Sequence, residues 1–240
     1  MTVKEHYDNH LGFFYSWMTG DCEDKKREFT NFCKNNNIYP KESGIAVDLG
    51  AGNGIQSVAL AELGFKVKAI DFNQTLLDEL VSKRNELQIE AINADIKEFT
   101  KFIDKSPELI ICCGDTISHL ESEKDISELI KKISKVLIES GKLVLSFRDY
   151  SVELTDTKRF IPVKSDPNRI LTCFLEYFEK KVRVTDLLYE KTENKWIQKI
   201  SSYEKIRISK NRILKILKEN GIKIISDIVL NRMTTIIGQK

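Results

Sequence analysis

Three alternating glycines and two later aspartates have types and spacing suited to holding a nucleoside-like ligand. Gly50, Gly52 and Gly54 lie between a short apolar run and a predicted helix. Glycine lets the backbone turn sharply and lets a ligand approach it closely, and a helix N-terminus adds the positive end of a dipole. Asp71 closes the next predicted strand, where an acid can accept hydrogen bonds from ribose hydroxyls. Asp95 follows the strand after that and can accept from an adenine amino group.

Each of these features alone has a simpler explanation. The glycines could form a plain tight turn, and Asp71 or Asp95 could cap the helix or turn that follows it. The joint pattern is more specific, because both acids stand at the ends of successive strands, and Ile96 beside Asp95 can pack on an adenine ring. The dinucleotide fingerprint GxGxxG spaces its third glycine differently, which disfavours a nicotinamide cofactor.

The elements that position these residues alternate between strand and helix. Short apolar runs predict strands at 45–49, 65–71, 89–93, 109–113 and 142–147, and amphipathic spacing predicts helices at 22–36, 56–63, 74–87 and 126–138. Beyond Arg148 the pattern changes to β-runs at 170–178, 181–190 and 195–207, joined by charged turns at 179–181 and 193–195. A helix at 209–220, with Ser209 as N-cap and Gly221 past its end, precedes strand at 222–237.

This order predicts the fold class. We expect an α/β protein with a Rossmann-like, mostly parallel seven-stranded sheet, helices on both faces and a small antiparallel β lid in the C-terminal half. The predicted division is an N-terminal helical lid segment at 1–40, a ligand-binding core at 41–150, the antiparallel lid at 151–208, and a last helix with strands completing the core sheet at 209–240.

Composition narrows the classes of partner. The 240 residues are 41% hydrophobic and 31% charged with a formal net charge of +2, so no overall field should recruit nucleic acid or anionic membrane. No apolar run approaches the roughly 18 residues of a spanning helix, and the N-terminus has no apolar signal core, so we expect a cytoplasmic protein. The five cysteines are scattered, without a CxxC spacing, and are interpreted as reduced thiols, and no metal site is predicted.

The glycine turn and its acids resemble those of the class I S-adenosylmethionine-dependent methyltransferases. Residues 47–54 look like the first motif of that family, Asp71 like its ribose acid and residues 93–96 like its adenine site. The resemblance implies S-adenosylmethionine as cofactor, with Lys25 holding its carboxylate; Lys26 and Arg27 are rivals, and a solvated helix face is the alternative. The implied cofactor-binding residues are Lys25, Asp48, Gly50, Ala51, Gly52, Gly54, Asp71, Phe72, Asp95, Ile96 and Cys113.

Further segments are similar to glycine N-methyltransferase and its glycine/sarcosine relatives. Residues 19–21, 113–120, 147–150 and 164–166 resemble segments of that group. The resemblance implies that Arg148 holds a substrate carboxylate, for which a guanidinium has the matching planar fork; the alternative is a surface pair with Asp149. The implied substrate-binding residues are Tyr7, Asp115, Arg148, Tyr150, Tyr189 and Tyr203, of which Asp115, Arg148, Tyr189 and Tyr203 are the candidate catalytic residues. Ordinary half-buried sheet positions are the alternative for Tyr189 and Tyr203.

Two departures from that group affect the acceptor. Asp115 stands where the group has an asparagine, and an acid there could orient an amine or accept its proton, or only cap the loop through the amides of Thr116 or Ile117. Val163 stands where relatives have a tyrosine. His119 is interpreted as a structural residue that orients the loop.

The function predicted is methylation of a small molecule, most simply N-methylation of an amine-bearing carboxylic acid. An O- or S-methyltransferase of a small acid and a non-catalytic regulatory protein that binds the cofactor are the alternatives. The segment 114–117 lacks the Asn/Asp-Pro-Pro-aromatic pattern of amino-base methylases, and with the near-neutral charge this argues against a nucleic-acid substrate. The oligomeric state, monomer or homodimer, stays open.

Overall fold

A computed structural model of the protein describes residues 1–193, 195–230 and 232–240. Asn194, in a predicted charged turn, and Asn231, in the last predicted strand, lie outside the described residues. Within the described ranges, no helix is both long and apolar enough to cross a membrane.

The predicted Rossmann-like sheet is confirmed. Its strands are β1 (Ile45–Leu49), β2 (Lys66–Asp71), β3 (Ile89–Asn93), β4 (Leu109–Cys112), β5 (Lys142–Phe147), β10 (Lys223–Leu230) and β11 (Met233–Gln239). They lie in the order β10-β11-β5-β4-β1-β2-β3, with β11 antiparallel to both of its neighbours. The carboxyl ends of β1, β2, β4 and β5 therefore meet at one edge of the sheet, where α/β proteins bind ligands.

Helices cover both faces of this sheet, because successive residues of each strand point to opposite sides. Helices α3 (Cys22–Asn35), α4 (Ile55–Glu62) and α5 (Gln74–Lys83) pack through Cys33, Leu60 and Leu80 on the face that carries Ala46 and Ile111. Helices α6 (Glu123–Val136) and α7 (Lys210–Glu219) pack on the opposite face, which carries Val47 and Ile110.

A second sheet of four antiparallel strands confirms the predicted β unit and extends it. Its strands are β6 (Phe160–Ser165), β7 (Arg169–Tyr177), β8 (Lys181–Thr192) and β9 (Lys195–Ile206), in that order. The sequence does not predict β6. This strand lies at the edge of the sheet and contains Pro162, and proline in a strand is confined largely to edges.

Two short helices precede α3 in the segment predicted to be helical, α1 (Val3–Asn9) and α2 (Tyr15–Thr19), and the sequence does not predict their bounds. A capping box begins α1, since the Thr2 hydroxyl accepts from the Glu5 amide while the Glu5 carboxylate accepts from the Thr2 amide. Both helices are short, so their apolar periodicity is weak in the sequence.

Two boundaries differ from the prediction. The helix expected over 74–87 ends at Lys83, because the chain turns at Asn85, which has a left-handed φ of 47°. The strand expected over 222–237 is the β10–β11 hairpin, whose pairing runs from Lys223 with Gln239 to Leu230 with Met233. Helix α7 has the predicted Ser209 cap, whose hydroxyl accepts from the Arg212 amide.

Candidate active site

The glycine turn has a left-handed backbone at each of its three glycines, with φ of 80° at Gly50, 54° at Gly52 and 84° at Gly54. A Cβ at Gly50 would collide with the Thr116 side chain, and one at Gly54 with Leu80. At Gly52 a Cβ would meet only the Tyr15 ring, at 3.6 Å. Gly50 and Gly54 therefore allow close packing, whereas Gly52 keeps backbone open on the side of a cavity that it lines.

Asp71 is tied to the glycine turn. It is 7% exposed, and its carboxylate accepts from the Gly52 amide at 2.8 Å and from the Asn73 amide at 2.8 Å. Asn73, rather than Asp71, caps α5 by accepting from the Leu76 amide. Burial raises the pKa of the Asp71 carboxyl, although the backbone donors oppose this. Gly50, Gly52, Asp71 and Asn73 are called the glycine-turn site below.

Asp95 and Asp48 lie on either side of the glycine-turn site. Asp95 caps the 3-10 helix Ile96–Phe102 by accepting from the Lys97 amide at 2.8 Å, so the capping alternative is realised, and it also lines the cavity. Asp48 is buried behind the turn and accepts from the Ser57 hydroxyl at 2.7 Å. Burial raises the pKa of Asp48 to about 7.

A cavity of about 370 Å³ connects the glycine turn with the N-terminal helix. Gly50, Gly52 and Asp71 line one wall, and Tyr7 of α1 lines the facing wall. The Tyr7 ring makes an edge contact with Phe72, with 5.5 Å between ring centroids. The other predicted cofactor residues that line this cavity are Phe72, Asp95 and Ile96.

Asp115 lies just after β4 and is only 3% exposed. Its carboxylate accepts from the Arg148 amide at 2.9 Å, the Tyr150 hydroxyl at 2.9 Å and the Lys205 ammonium at 2.6 Å. Its side chain caps neither Thr116 nor Ile117. Burial opposes the charged form of Asp115, but Lys205 and the other donors hold the pKa of its carboxyl below the usual value.

Lys205, the ion-pair partner of Asp115, was not predicted from the sequence. It lies on β9 with the rings of Tyr150 and Tyr203 at 5.8 and 5.5 Å from its ammonium. Burial disfavours its charge, but the Asp115 carboxylate raises the pKa of Lys205 above the usual value. Ser201, Tyr203 and Lys205 alternate on the buried face of the strand. A lysine at an inward-facing strand position is therefore the feature of the sequence that could have pointed to Lys205.

His119 completes this group and lines the cavity. Its ring makes edge contacts with Tyr203 at 5.8 Å and Tyr7 at 5.7 Å. Burial, followed by the positive charge of Lys205, lowers the pKa of His119 to about 3, so the imidazole is neutral. Its Nε2 is buried and has no hydrogen-bond partner among the described residues. Asp115, His119, Tyr150, Tyr203 and Lys205 are called the buried polar cluster below.

Helix α1 is held against both sheets, a feature that the sequence did not reveal. His6 is fully buried, with Nδ1 2.8 Å from the Ser201 hydroxyl and Nε2 3.1 Å from an Asp186 carboxylate oxygen. Its ring stacks on Tyr203 at 4.1 Å. On the other side, Asn73 of the glycine-turn site donates to Asp8 at 2.8 Å.

Several predicted site residues are not brought to the cavity. Lys25 is exposed and pairs with Glu28 at 3.2 Å, while the rivals Lys26 and Arg27 pair with Glu62 of α4 and Asp24 of α3. Tyr189 alternates with the buried residues of β8, so it faces away from Tyr203, and its hydroxyl accepts from Gln198 at 2.6 Å. Four other predicted cofactor residues are buried or partly buried but do not line the cavity: Asp48, Ala51, Gly54 and Cys113.

Arg148 follows β5 and has an exposed side chain with no hydrogen-bonding or ionic partner among the described residues. Its expected alternative partner, Asp149, accepts instead from the amides of Ser151 and Lys210. Across all the residues that the structure describes, no group of three or more His, Cys, Asp or Glu side chains is placed to hold a metal ion.

Comparison with known proteins agrees with this geometry. Residues 46–141 match the family model described as a methyltransferase domain. The chain is 34% identical over 104 residues to the putative methyltransferase YqeM of Bacillus subtilis, covering 43% of this chain and 42% of that protein. It is 28% identical over 120 residues to the glycine/sarcosine N-methyltransferase of Aphanothece halophytica, covering 48% and 45%. The match thus spans less than half the length of these curated relatives.

Solved structures share the whole fold. A S-adenosylmethionine-dependent methyltransferase from Clostridium acetobutylicum superposes with a TM-score of 0.74 at 18% identity, covering 97% of this chain and 95% of that one. CalS10, an amino pentose methyltransferase from Micromonospora echinaspora, superposes with a TM-score of 0.75 at 11% identity, covering 92% and 93%. Residues 46–141 thus match a methyltransferase domain, and the described chain shares the fold of these solved methyltransferases.

Proposed function

We propose that this chain is an S-adenosylmethionine-dependent methyltransferase of a small molecule, and that it N-methylates an amine-bearing carboxylic acid. One observation carries the proposal: Gly50, Gly52 and Asp71 of the glycine-turn site line the same cavity of about 370 Å³ as the neutral His119. A cofactor that lies along the glycine turn would therefore have its reactive end close to a side chain that can accept a hydrogen bond.

The residues present fit the cofactor. Gly52 leaves backbone open at the cavity wall, and a Cβ at Gly114 would meet nothing within 4 Å, so this wall has room for a ligand. Asp71 would accept from ribose hydroxyls through the lone pairs that its two amide donors leave free. Ile96 and Asp95 would contact the adenine.

Bound S-adenosylmethionine supplies an already activated methyl group on its sulfonium. The chain has to bind the acceptor, exclude water and align the acceptor nitrogen. Tyr7 and helix α1 cover the cavity, and the neutral His119 Nε2 can accept a hydrogen bond from the acceptor N–H and so orient the nitrogen lone pair. Because three donors already occupy the Asp115 carboxylate, we propose that Asp115 positions other groups and does not act as the base.

The proposal that the acceptor is an amine-bearing carboxylic acid rests on Arg148, Tyr150 and Tyr203. The Arg148 guanidinium lies past the end of β5 without a partner among the described residues, and the resemblance to the glycine N-methyltransferase group implies a carboxylate there. We propose that residues 1–40 and 151–208 form the lid over this acceptor, since α1 packs on β9 through the contact of His6 with Ser201. Tyr189 faces away and is left out of the proposed site.

A turnover screen tests the function. The purified protein is incubated with S-adenosylmethionine and small amines, amino acids, phenols, thiols and carboxylic acids, and S-adenosylhomocysteine release and product mass are measured together. The expected result is a product heavier by one methyl group from an amine-bearing acid. A phenol or thiol product would favour the O- or S-methyl alternative, binding of the cofactor without turnover would favour a regulatory protein, and no cofactor binding would refute the proposal.

Two variants separate the assigned roles. His119→Gln should lower kcat about fivefold and leave cofactor affinity unchanged, because a lost positioning hydrogen bond is worth about 1 kcal/mol. Arg148→Ala should raise the acceptor KM at least about tenfold, as expected for a lost charge-assisted pair. Comparable loss of cofactor affinity in either variant would contradict its assignment.

A further inference from the structure

The second sheet has an apolar outer face. Its inward residues, such as Leu171, Val184 and Tyr203, are buried, and side chains alternate along a strand, so the residues between them point outward. The apolar members of this outer face are Phe160, Ile170, Phe174, Leu187, Trp196 and Ile200. None of the six joins a buried apolar cluster of the described chain. An antiparallel sheet that faces water on one side carries mainly polar residues there, so this face has the composition of a covered surface.

The outer face is large enough to form one half of a stable interface. Its four strands lie about 4.8 Å apart, and β8 and β9 have 12 residues each at about 3.3 Å per residue. With the shorter β6 and β7 taken into account, its projected area is roughly 600 Å². Side chains add to the accessible area of such a surface, and a standard protein–protein interface buries about 800 Å² on each partner.

Charges of opposite sign lie at the two ends of the outer face. At one end Glu176, Arg183 and Glu204 form a row across β7, β8 and β9, with two carboxylates to one guanidinium. At the other end of β8 the outward residue is Lys191. A face of mixed sign does not favour a nucleic acid or an anionic membrane. It suits a partner that carries the same charges in the reverse order.

We propose that the outer face is the interface between two copies of this chain, packed face to face around a two-fold axis near Leu187. Leu187 lies midway between Arg183 and Lys191 on β8 and pairs with Ile200 of β9, so the axis passes through the apolar middle of the face. A two-fold axis brings the same patch of both copies together. The acidic row of each copy then faces the partner's Lys191, and these charges fix the orientation of the two copies.

A partner in this orientation lies beside the cavity as well. Lys181 and Glu204, at the acidic end of β8 and β9, also line the cavity that contains the glycine turn. The proposed dimer therefore places the end of each β8–β9 hairpin next to the cavity of the other copy. The inference does not depend on which acceptor is methylated.

Sedimentation velocity of the full chain over a range of micromolar concentrations tests the interface. The wild-type protein should sediment as a dimer. Ile200→Glu should raise the dissociation constant at least about 100-fold, because two carboxylates would be buried near the axis without partners. Ile200 is 58% exposed in the single chain, so the variant should fold and keep the wild-type circular dichroism spectrum. The matched control is Ile225→Glu, at a 50% exposed isoleucine of β10 outside the face, which should stay dimeric.

Three results would each overturn the interface. They are a wild-type protein that stays monomeric at the highest concentration, an Ile200→Glu variant that still dimerises, and an Ile225→Glu variant that dissociates as readily as Ile200→Glu. None of these results involves cofactor binding or turnover, so failure of the interface and failure of the proposed function are distinguishable.

A charge reversal tests the two-fold arrangement. At low ionic strength Lys191→Glu should raise the dissociation constant about tenfold, because it sets a carboxylate against the partner's acidic row. Adding Glu176→Lys reverses the sign of that row and should recover most of the affinity. A Lys191→Glu variant that associates as tightly as the wild-type protein, or a double variant no tighter than the single one, would overturn this arrangement.

Discussion

The glycine-turn site and the buried polar cluster both bury an aspartate, but they satisfy it differently. Asp71 accepts from backbone amides of Gly52 and Asn73, 19 and 2 residues away in the chain. Asp115 accepts a side-chain donor from Lys205, 90 residues away, besides the amide of Arg148. The first site is therefore built by the continuous segment from β1 through α4 to β2, and the second forms only when the two sheets come together.

This difference has an energetic consequence. Backbone amides stay in place when a side chain is changed, whereas a buried ion pair loses its compensation when either partner is removed. We therefore expect changes in the glycine-turn site to appear mainly as lost cofactor affinity, and changes in the buried polar cluster to appear mainly as lost stability or altered acceptor binding.

The largest expected effect follows from breaking the ion pair between Lys205 and Asp115. Lys205→Met should lower the free energy of unfolding by about 3–5 kcal/mol, because Asp115 would keep a buried and uncompensated charge. Urea unfolding measures this, with Lys199→Met expected to stay within about 0.5 kcal/mol. Adding Asp115→Asn should recover most of the loss. If the single and double variants were equally destabilised, lost packing and not charge would be the cause.

Asp71→Ala should have the next largest effect, this time on the cofactor. We expect S-adenosylhomocysteine affinity to fall about 100-fold, or about 2.7 kcal/mol, because the turn loses its anchor and the ribose its charged acceptor. Asp95→Ala is the comparison, since Asp95 is half exposed and should cost only about tenfold in the same titration. Equal losses of affinity in the two variants would show that Asp71 contributes no more to cofactor binding than Asp95 does.

The pH dependence of stability should identify the neutral histidine. The pKa of His119 is about 3 in the folded chain, below the ordinary value of 6.5. Between those values the unfolded chain binds the extra proton, so stability rises with pH across this window and is lost as pH falls through it. His119→Gln removes that contribution, and its unfolding midpoint in urea should fall less than the wild-type midpoint between pH 7 and pH 4.5. Parallel curves would contradict a neutral His119.

The smallest effect is expected at Lys25, whose ammonium is exposed and paired with Glu28. Lys25→Ala should change S-adenosylhomocysteine affinity less than about twofold, because exposed ion pairs contribute little. A tenfold loss would show that the cofactor site extends onto α3 and would restore the role that the family resemblance implied.

The sequence predicts the glycine-turn site well because its determinants are local. Gly50, Gly52 and Asp71 follow strands whose apolar runs are plain in the sequence, and the parallel topology brings them to one edge. The mostly parallel sheet and three of the four strands of the second sheet follow from the same periodicity. The boundary errors, such as α5 ending at Lys83, arise where a left-handed residue outweighs helical spacing.

The buried polar cluster could not be predicted in the same way. Lys205 and His6 contact Asp115 and Ser201 across 90 and 195 residues, and no local pattern encodes such pairings. Family resemblance placed Asp115 near the acceptor but left its partner unknown. It also named Tyr189, which the alternation of β8 turns to the far side of the sheet.

The contact between His6 and Ser201 also bears on synthesis of the chain. Helix α1 leaves the ribosome before β9, and its buried partner on that strand follows 195 residues later. At translation rates of about 5–20 residues per second, α1 must wait roughly 10–40 s for the strand on which it packs. The core sheet has most of its strands before then, so the cavity gains its cover late, and a nascent chain stalled before β9 would present an open glycine turn.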